Sequence, residues 1–539
     1  MIPLWLYIAI PLAAGVLAWL TARANPAAPR WLALLAMLAV TLLAGLAWAH
    51  NAGNLTLIGR HAWGELELPW IPQLGITFHL YMDGLGGLMV LLTGVIGILA
   101  VAASWCTPMT RPGAFYFCLL WALGSIVSVF LAVDLFLFYL SWELMLVPTY
   151  FLIGVWGGQR RVAATLKFFL FTQAGGVLLL VSILGLVFVH YRATGDFTFD
   201  FFALLGAART LNPATASWLM LGFFLAFAVK LPVIGVHSWL PDAHQEAPPD
   251  GSVDLAGLVI KVAPFAMIRF LVPLFGATAL AWREVGMTLA VVGVIYGALT
   301  ASSQINIKRL VAYSGISHMG FALLGICAWN ELAISGVIVI ILASGLSAAG
   351  MFVLAGMVYR RAGTADMTHT SGLWALYPRT GGVAMFLTMA TMGLPALGTF
   401  VGEVLVLFGA YQVSPGFTLL AACGLFLSVI YALLFMQRVF QGPLMQPPDG
   451  LTRRDLSPGE SASMALCTVL IVAIGVYPNA VLRTISQPVS QMLQQSGVNA
   501  PGMSNAPSAH NVLGASNTSG ASNAHGKLSV GLSEGTPHE

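Results

Sequence analysis

The sequence predicts an all-α polytopic membrane protein with about fourteen transmembrane helices. Three observations point there. Hydrophobic residues make up 58% of the 539 and charged residues only 8%, whereas a soluble domain needs roughly a quarter charged to solvate its surface. Apolar runs of about 20 residues, long enough to cross the hydrocarbon core, follow one another along the chain. These runs do not alternate and are much longer than the roughly ten residues of a membrane strand, so strands cannot dominate.

The runs fall near 3–21, 31–49, 83–104, 114–132, 135–155, 163–190, 216–238, 252–275, 284–303, 309–328, 332–358, 382–411, 416–440 and 462–480. The first lacks a basic flank and reads as a helix rather than a cleaved signal. The connections alternate in basic content. One set carries Arg23, Arg30, Arg111, Arg160, Arg161, Lys308, Arg309, Arg360, Arg361, Arg379, Arg438, Arg453 and Arg454. The other carries Arg60, Arg192, Arg209, Arg283, Arg483 and Lys527. The positive-inside rule then places the first set in the cytoplasm and both termini outside, which agrees with an even helix count. From about Ser496 the chain is rich in Asn, Ser, Gly and His, without apolar periodicity. A disordered tail is expected there, with His510, His525 and His538 too irregularly spaced for a metal site.

Composition also excludes function classes. A net charge of +3 with no basic stripe argues against nucleic acid. Cys106, Cys118, Cys327, Cys423 and Cys467 form no C-x-x-C pair, so iron–sulfur and zinc sites are not expected. No phosphate-binding loop or dinucleotide fingerprint is present, and no metal or cofactor is expected in this chain.

Ionisable groups at bilayer depth cost roughly 2.5–3.5 kcal/mol or more each and are therefore candidates for function. Four stand out: Glu143 in LFYLSWELMLVP, Lys230 in FLAFAVKLPVIG, Lys261 in LAGLVIKVAPF and Glu403 in LGTFVGEVLVLFG. Burial disfavours the charged form of acids and bases alike, which brings both toward proton exchange near neutrality. A partner of opposite charge reverses that effect, so an ion pair that opens and closes can gate a relay. The competing reading is a structural salt bridge, for which apolar replacements often serve as well.

Two of these runs are interrupted. Pro232 follows Lys230, and Gly393-Leu394-Pro395 with Gly398 precedes Glu403. Both breaks hold Leu-Pro with a Gly three residues after the Pro, although the charges do not superpose. Discontinuous helices mark ion paths in transporters built from inverted repeats, and a simple proline kink is the alternative. His237 lies seven residues after Lys230, the same face of a regular helix. His318 lies beside Tyr313, Ser314 and Ser317 and suits either a relay or a polar packing contact. His244 and Asp242 form either a water-facing entrance or a loop cap. A metal site from His237, Asp242 and His244 is opposed by Pro241. Asp254 shares a face with Lys261 at about 10 Å, reachable only through water. Lys167 and Arg269, near run ends, are expected to snorkel to the interface.

Several motifs in order, WLPDAHQEAPPDGSVDLAGLVIK, NIKRLVAYSGISHMGF, SGLSAAGMF and GLPALGTFVGE, resemble the antiporter-like subunits of respiratory complex I and the related Mrp-type cation/proton antiporters. The resemblance runs from about residue 80 to about residue 440, and more loosely to Tyr477. LSWELMLVP, GFFLAFAVKLPV and the glutamate of TFVGE are most similar to the M-type branch, since the other large antiporter-like chains usually carry lysine where Glu403 stands. The resemblance implies two inverted five-helix repeats with broken helices, at 111–275 and 276–440. Flanking helices would occupy 1–110 and 441–495, and a polar tail 496–539. It implies that Glu143 and Lys230 are a switching ion pair, Lys261 the central relay and Glu403 the terminal group toward the outside, with His237, His318 and His244 as candidate relay or entrance groups.

The implied function is proton translocation across a bacterial inner membrane as a subunit of NADH–quinone oxidoreductase. NADH, FMN, iron–sulfur clusters and quinone would be held by other subunits. Its partners would be those membrane subunits, neighbouring antiporter-like chains and lipid. An Mrp-type Na⁺/H⁺ antiporter subunit is the near alternative; a passive scaffold and an electron-transfer chain are more distant ones. Two departures stand out. Ser344 occupies a place where the M-type branch usually has histidine, and serine can order water but holds no proton at neutral pH. PPDGS replaces the commoner PTAGS.

Overall fold

The computed structural model describes residues 2–52, 62–105, 109–248, 251, 253, 255–443 and 454–496. Among the described residues, twelve helices are long and apolar enough to cross a membrane. The first expected run is the shorter apolar helix Trp5–Thr21, and the run expected at 382–411 is two helices, Pro378–Thr391 and Gly398–Tyr411. With these, each of the expected apolar runs is helical over most of its described length, and two are interrupted.

Short polar residues start many of the helices by accepting backbone N–H groups that have no partner inside the helix. Asp83 accepts from Gly86, Asp134 from Phe136 and Leu137, and Asn306 from Lys308 and Arg309. Three helices form the centre: Gly257–Ala281, Ile307–Ala328 and Glu331–Ala362 are buried almost throughout. Outer helices turn large apolar side chains outward, among them Leu42, Leu170, Trp218 and Phe426. Lipid is the solvent that makes such a surface stable.

Both expected breaks are present. Helix Pro213–Lys230 ends at Lys230, and the chain runs without helix to the short helix Trp239–Glu246. Gly235 takes φ +99° in that gap. The second gap, at 392–397, separates Pro378–Thr391 from Gly398–Tyr411. One break lies in each of the expected repeats. A third irregularity was not foreseen. The helix that carries Lys261 is wound as π-helix over Leu255–Val259 and Met267–Leu271, on either side of Ile260–Ala266. Such wide turns inside helices recur at functional sites.

Four other elements were not foreseen. Strands β1 (Gly64–Ile71) and β2 (Ile76–Met82) form an antiparallel hairpin, with Gly64 opposite Met82. Helix Phe201–Arg209 lies near it. Helix Asn479–Gln495 is amphipathic, burying Val481, Leu482, Ile485, Val489, Met492 and Leu493 at the spacing of one helical face.

Arg269 corrects an expectation. It does not snorkel: it is buried and forms a two-pronged pair with Asp83, Nη1 to Oδ2 and Nη2 to Oδ1 both at 2.7 Å. The fixed fork of a guanidinium matches a carboxylate, so a partner inside the fold outcompetes water. Asp254, the residues Pro249, Asp250 and Ser252 of PPDGS, and the tail from residue 497 lie outside the described residues.

Candidate functional site

All four membrane-depth charges lie on helices of the bundle, in three local groups. In the first, Lys230 is buried at the end of its helix and donates to Trp142 O at 3.0 Å. Its Nζ also stands 3.9 Å from the centre of the Trp142 ring, a placement that favours a cation. Glu143 is the next residue. Its field reaches Lys230, but among the described residues no ion pair within 4 Å joins the two. Gly176 lets the Glu143 carboxylate in: a Cβ at that position would collide with Glu143 Oε1.

In the second group, Lys261 is fully buried. Its Nζ donates to Ser344 Oγ at 2.8 Å and approaches Met319 Sδ at 3.7 Å. Ser344 in turn donates to Ile340 O. The serine therefore serves as the lysine's hydrogen-bond acceptor, while carrying no titratable proton of its own near neutrality.

In the third group, His318 Nδ1 lies 2.8 Å from Glu403 Oε1, with both side chains buried. His318 follows one residue before Met319, so the second and third groups adjoin along helix Ile307–Ala328. Gly393, at φ +75°, sits in the second break, and a Cβ there would stand 2.8 Å from Glu403 Oε2. The break thus opens the space that the carboxylate fills.

The remaining histidines are placed differently. Helix Pro213–Lys230 stops before His237, so His237 and Lys230 share no helix face; the His237 ring packs on Tyr296 at 5.2 Å. His244 is fully buried and stacks on Phe352 at 4.6 Å, so it does not face water. Asp242 does face water in part. It pairs with Lys167 at 2.7 Å and Arg309 at 2.8 Å. Burial alone would raise its pKa, but those two cations outweigh it and hold the carboxyl below the ordinary aspartate range. Among the described residues no three metal-ligating side chains cluster.

Sequence reasoning did not reach the pairing of His318 with Glu403, whose positions are 85 residues apart. It also placed Lys308 only in a basic connection. Lys308 is buried and donates to Ala247 O at 2.7 Å, tying helix Ile307–Ala328 to the segment after the first break. On the opposite face His79 lies between Asp200 at 2.8 Å and Glu65 at 3.1 Å. The alternation of GELEL and the Pro-Gln-Leu-Gly turn were the available signals for that hairpin.

Residues 132–430 match the family described as NADH:quinone oxidoreductase/Mrp antiporter, transmembrane. The chain is 47% identical over 490 residues to a protein of Pseudomonas aeruginosa named NADH-quinone oxidoreductase subunit M, covering 89% of this chain and 94% of that one. It is 43% identical over 503 residues to the Escherichia coli protein of the same name, covering 92% and 98%. Among solved structures it is similar to a chain of respiratory complex I from Thermus thermophilus with bound NADH, with TM-score 0.79 and 30% identity over 92% of this chain and 100% of that one. A chain of the Mrp complex from Dietzia shares the fold at TM-score 0.76 and 19% identity, covering 92% and 98%. With most of its length matched at such identity, the chain belongs to the NADH:quinone oxidoreductase/Mrp antiporter transmembrane family, on the branch of the NADH-quinone oxidoreductase M subunits.

Proposed function

We propose that this chain carries protons across a bacterial inner membrane as a subunit of an NADH-quinone oxidoreductase, driven by quinone reduction in other subunits. The observation that carries the reading is the succession of ionisable groups at membrane depth, all buried except the half-buried Glu143. It runs from Glu143 and Lys230, through Lys261, to His318 and Glu403, at two broken helices and one π-wound helix. Charges at that depth are costly, and keeping them is understandable when they move protons.

Glu143 and Lys230 act as the switch. When the pair is drawn together, Lys230 keeps its proton; when Glu143 is drawn away, the lysine loses its counter-charge and gives the proton up toward Lys261. The Trp142 carbonyl and ring hold the protonated Lys230 in place. Lys261 passes the proton to His318 by way of water ordered at Ser344, and Glu403 releases it outside. Redox centres belong to the other subunits, and the basic connections with Asp242, Lys167 and Arg309 face the cytoplasm, so both termini lie outside. The Mrp likeness at 19% identity concerns the fold alone.

The test is NADH-driven proton uptake by inverted membrane vesicles, with and without sodium, for wild type and Lys261→Met. The reading expects sodium-independent uptake in wild type and its loss in an assembled Lys261→Met complex. Uptake that requires sodium, or that survives the substitution, would contradict it.

A further inference from the structure

Glu403 has a second neighbour that the relay above does not use. Tyr431, on helix Pro415–Val439, is fully buried, and its hydroxyl has no hydrogen-bond partner. Glu403 Oε2 and His318 Nε2 are likewise buried and unsatisfied. Buried polar atoms are rarely left without a partner, and a buried tyrosine hydroxyl usually finds one. Here Tyr431 is within electrostatic reach of Glu403, and the Ser314 hydroxyl lies beside it. Ser314 donates its own proton to Val311 O at 2.8 Å and makes no hydrogen bond to Tyr431, which leaves the tyrosine's proton free.

The local packing fixes where the tyrosine stands. Three residues earlier on the same helix, Ser428 bonds Met392 O at 3.2 Å, which pins that helix face to the second break. Residues three apart share a helix face. Gly393, next to Met392, borders Glu403 Oε2. Ser314 and His318 are four apart and share a face of helix Ile307–Ala328. Three helices therefore converge on one buried polar pocket. His318 faces Glu403 from the second helix and Tyr431 from the third. Helix Glu331–Ala362, which also packs here, carries its charged residues only at its ends.

We propose that Tyr431 is a positioning residue for Glu403. Its hydroxyl holds the free oxygen Oε2 through one water, opposite the contact of His318 Nδ1 with Oε1. The carboxyl is thereby fixed between two hydrogen-bond partners in the orientation from which it exchanges its proton. A hydrogen bond to a charged group is among the stronger ones in a protein, so losing it changes proton affinity as well as position. This rests on the reading of Glu403 as the terminal relay group.

The test compares wild type, Tyr431→Phe and Glu403→Gln in the assembled complex, reading NADH-driven proton uptake across pH. Tyr431→Phe keeps the ring and removes only the hydroxyl. Its profile is expected to be displaced by about one pH unit, and the infrared carbonyl band that disappears in Glu403→Gln is expected to shift. A fluorotyrosine at position 431, equal in shape but more acidic, gives the same readout if the phenylalanine variant fails to assemble. A wild-type profile and an unmoved band beside a failing Glu403→Gln would overturn the positioning role alone. Normal uptake in Glu403→Gln would overturn the relay reading, and the positioning role with it.

Discussion

Each membrane-depth glutamate lies against a glycine, and the pairing makes a prediction at the scale of single residues. Gly176 leaves room for the Glu143 carboxylate that even a methyl group would fill. Gly176→Ala should displace the Glu143 carboxylate and cut proton uptake about tenfold or more, because small misplacements of a reacting group are expensive. Uptake in vesicles, beside an assembly check, measures it; normal uptake would mean that the position of Glu143 does not matter. The charged residues themselves were legible in the sequence, since a lone Glu or Lys in a 20-residue apolar run has few structural excuses. Their contacts were not. The bond from His318 to Glu403 joins residues 85 apart, and no local periodicity encodes it. Arg269 was read as snorkelling because its partner Asp83 lies 186 residues away.

Among elements, the broken helices were read from proline and glycine, whose effects on the backbone are local. The π-wound stretches around Lys261 carry no comparable signal. The hairpin was missed because β1 is mostly exposed and β2 buries residues without strict alternation, so the period-2 signal is weak beside the membrane runs. His79 closes that hairpin on helix Phe201–Arg209 through Asp200 and Glu65. With a carboxylate at each ring nitrogen, both nitrogens donate only when the ring is protonated. Burial alone would lower the His79 pKa, but the bond and charge of Asp200, with Glu65 and Glu67, outweigh it and raise it above 6.5. The sign follows from linkage. A raised pKa contributes stability that is fully present below about pH 6.5 and is lost as pH rises through the folded-state value. Hydrogen exchange in 64–82 should therefore quicken as pH rises through that value, beyond the intrinsic rate increase, and His79→Ala should remove the excess. An identical excess in the variant would show that His79 is no latch.

At the scale of the whole molecule, the fold class was visible in composition and run length alone, while the arrangement of helices was not. Apolar patterning does not say which faces pair when lipid is as apolar as the core. The Arg269–Asp83 pair ties helix Gly257–Ala281 to the start of helix Gly84–Ser104. Arg269→Leu leaves Asp83 buried without its partner and should cost about 3–5 kcal/mol. The Asp83→Leu/Arg269→Leu double variant should recover most of that. Thermal melting of the purified complex measures both, and a single variant as stable as wild type would contradict the assignment.

On the reading proposed above, protons pass through the Glu143–Lys230 switch and its successors. The most direct test is NADH-driven proton uptake in inverted membrane vesicles carrying Lys230→Ala, beside wild type and a matched assay of assembly. The account predicts an assembled complex in which proton uptake and quinone-linked NADH oxidation both fall sharply. Normal values for both in a fully assembled complex would contradict it, and would leave Lys230 a structural lysine held by Trp142.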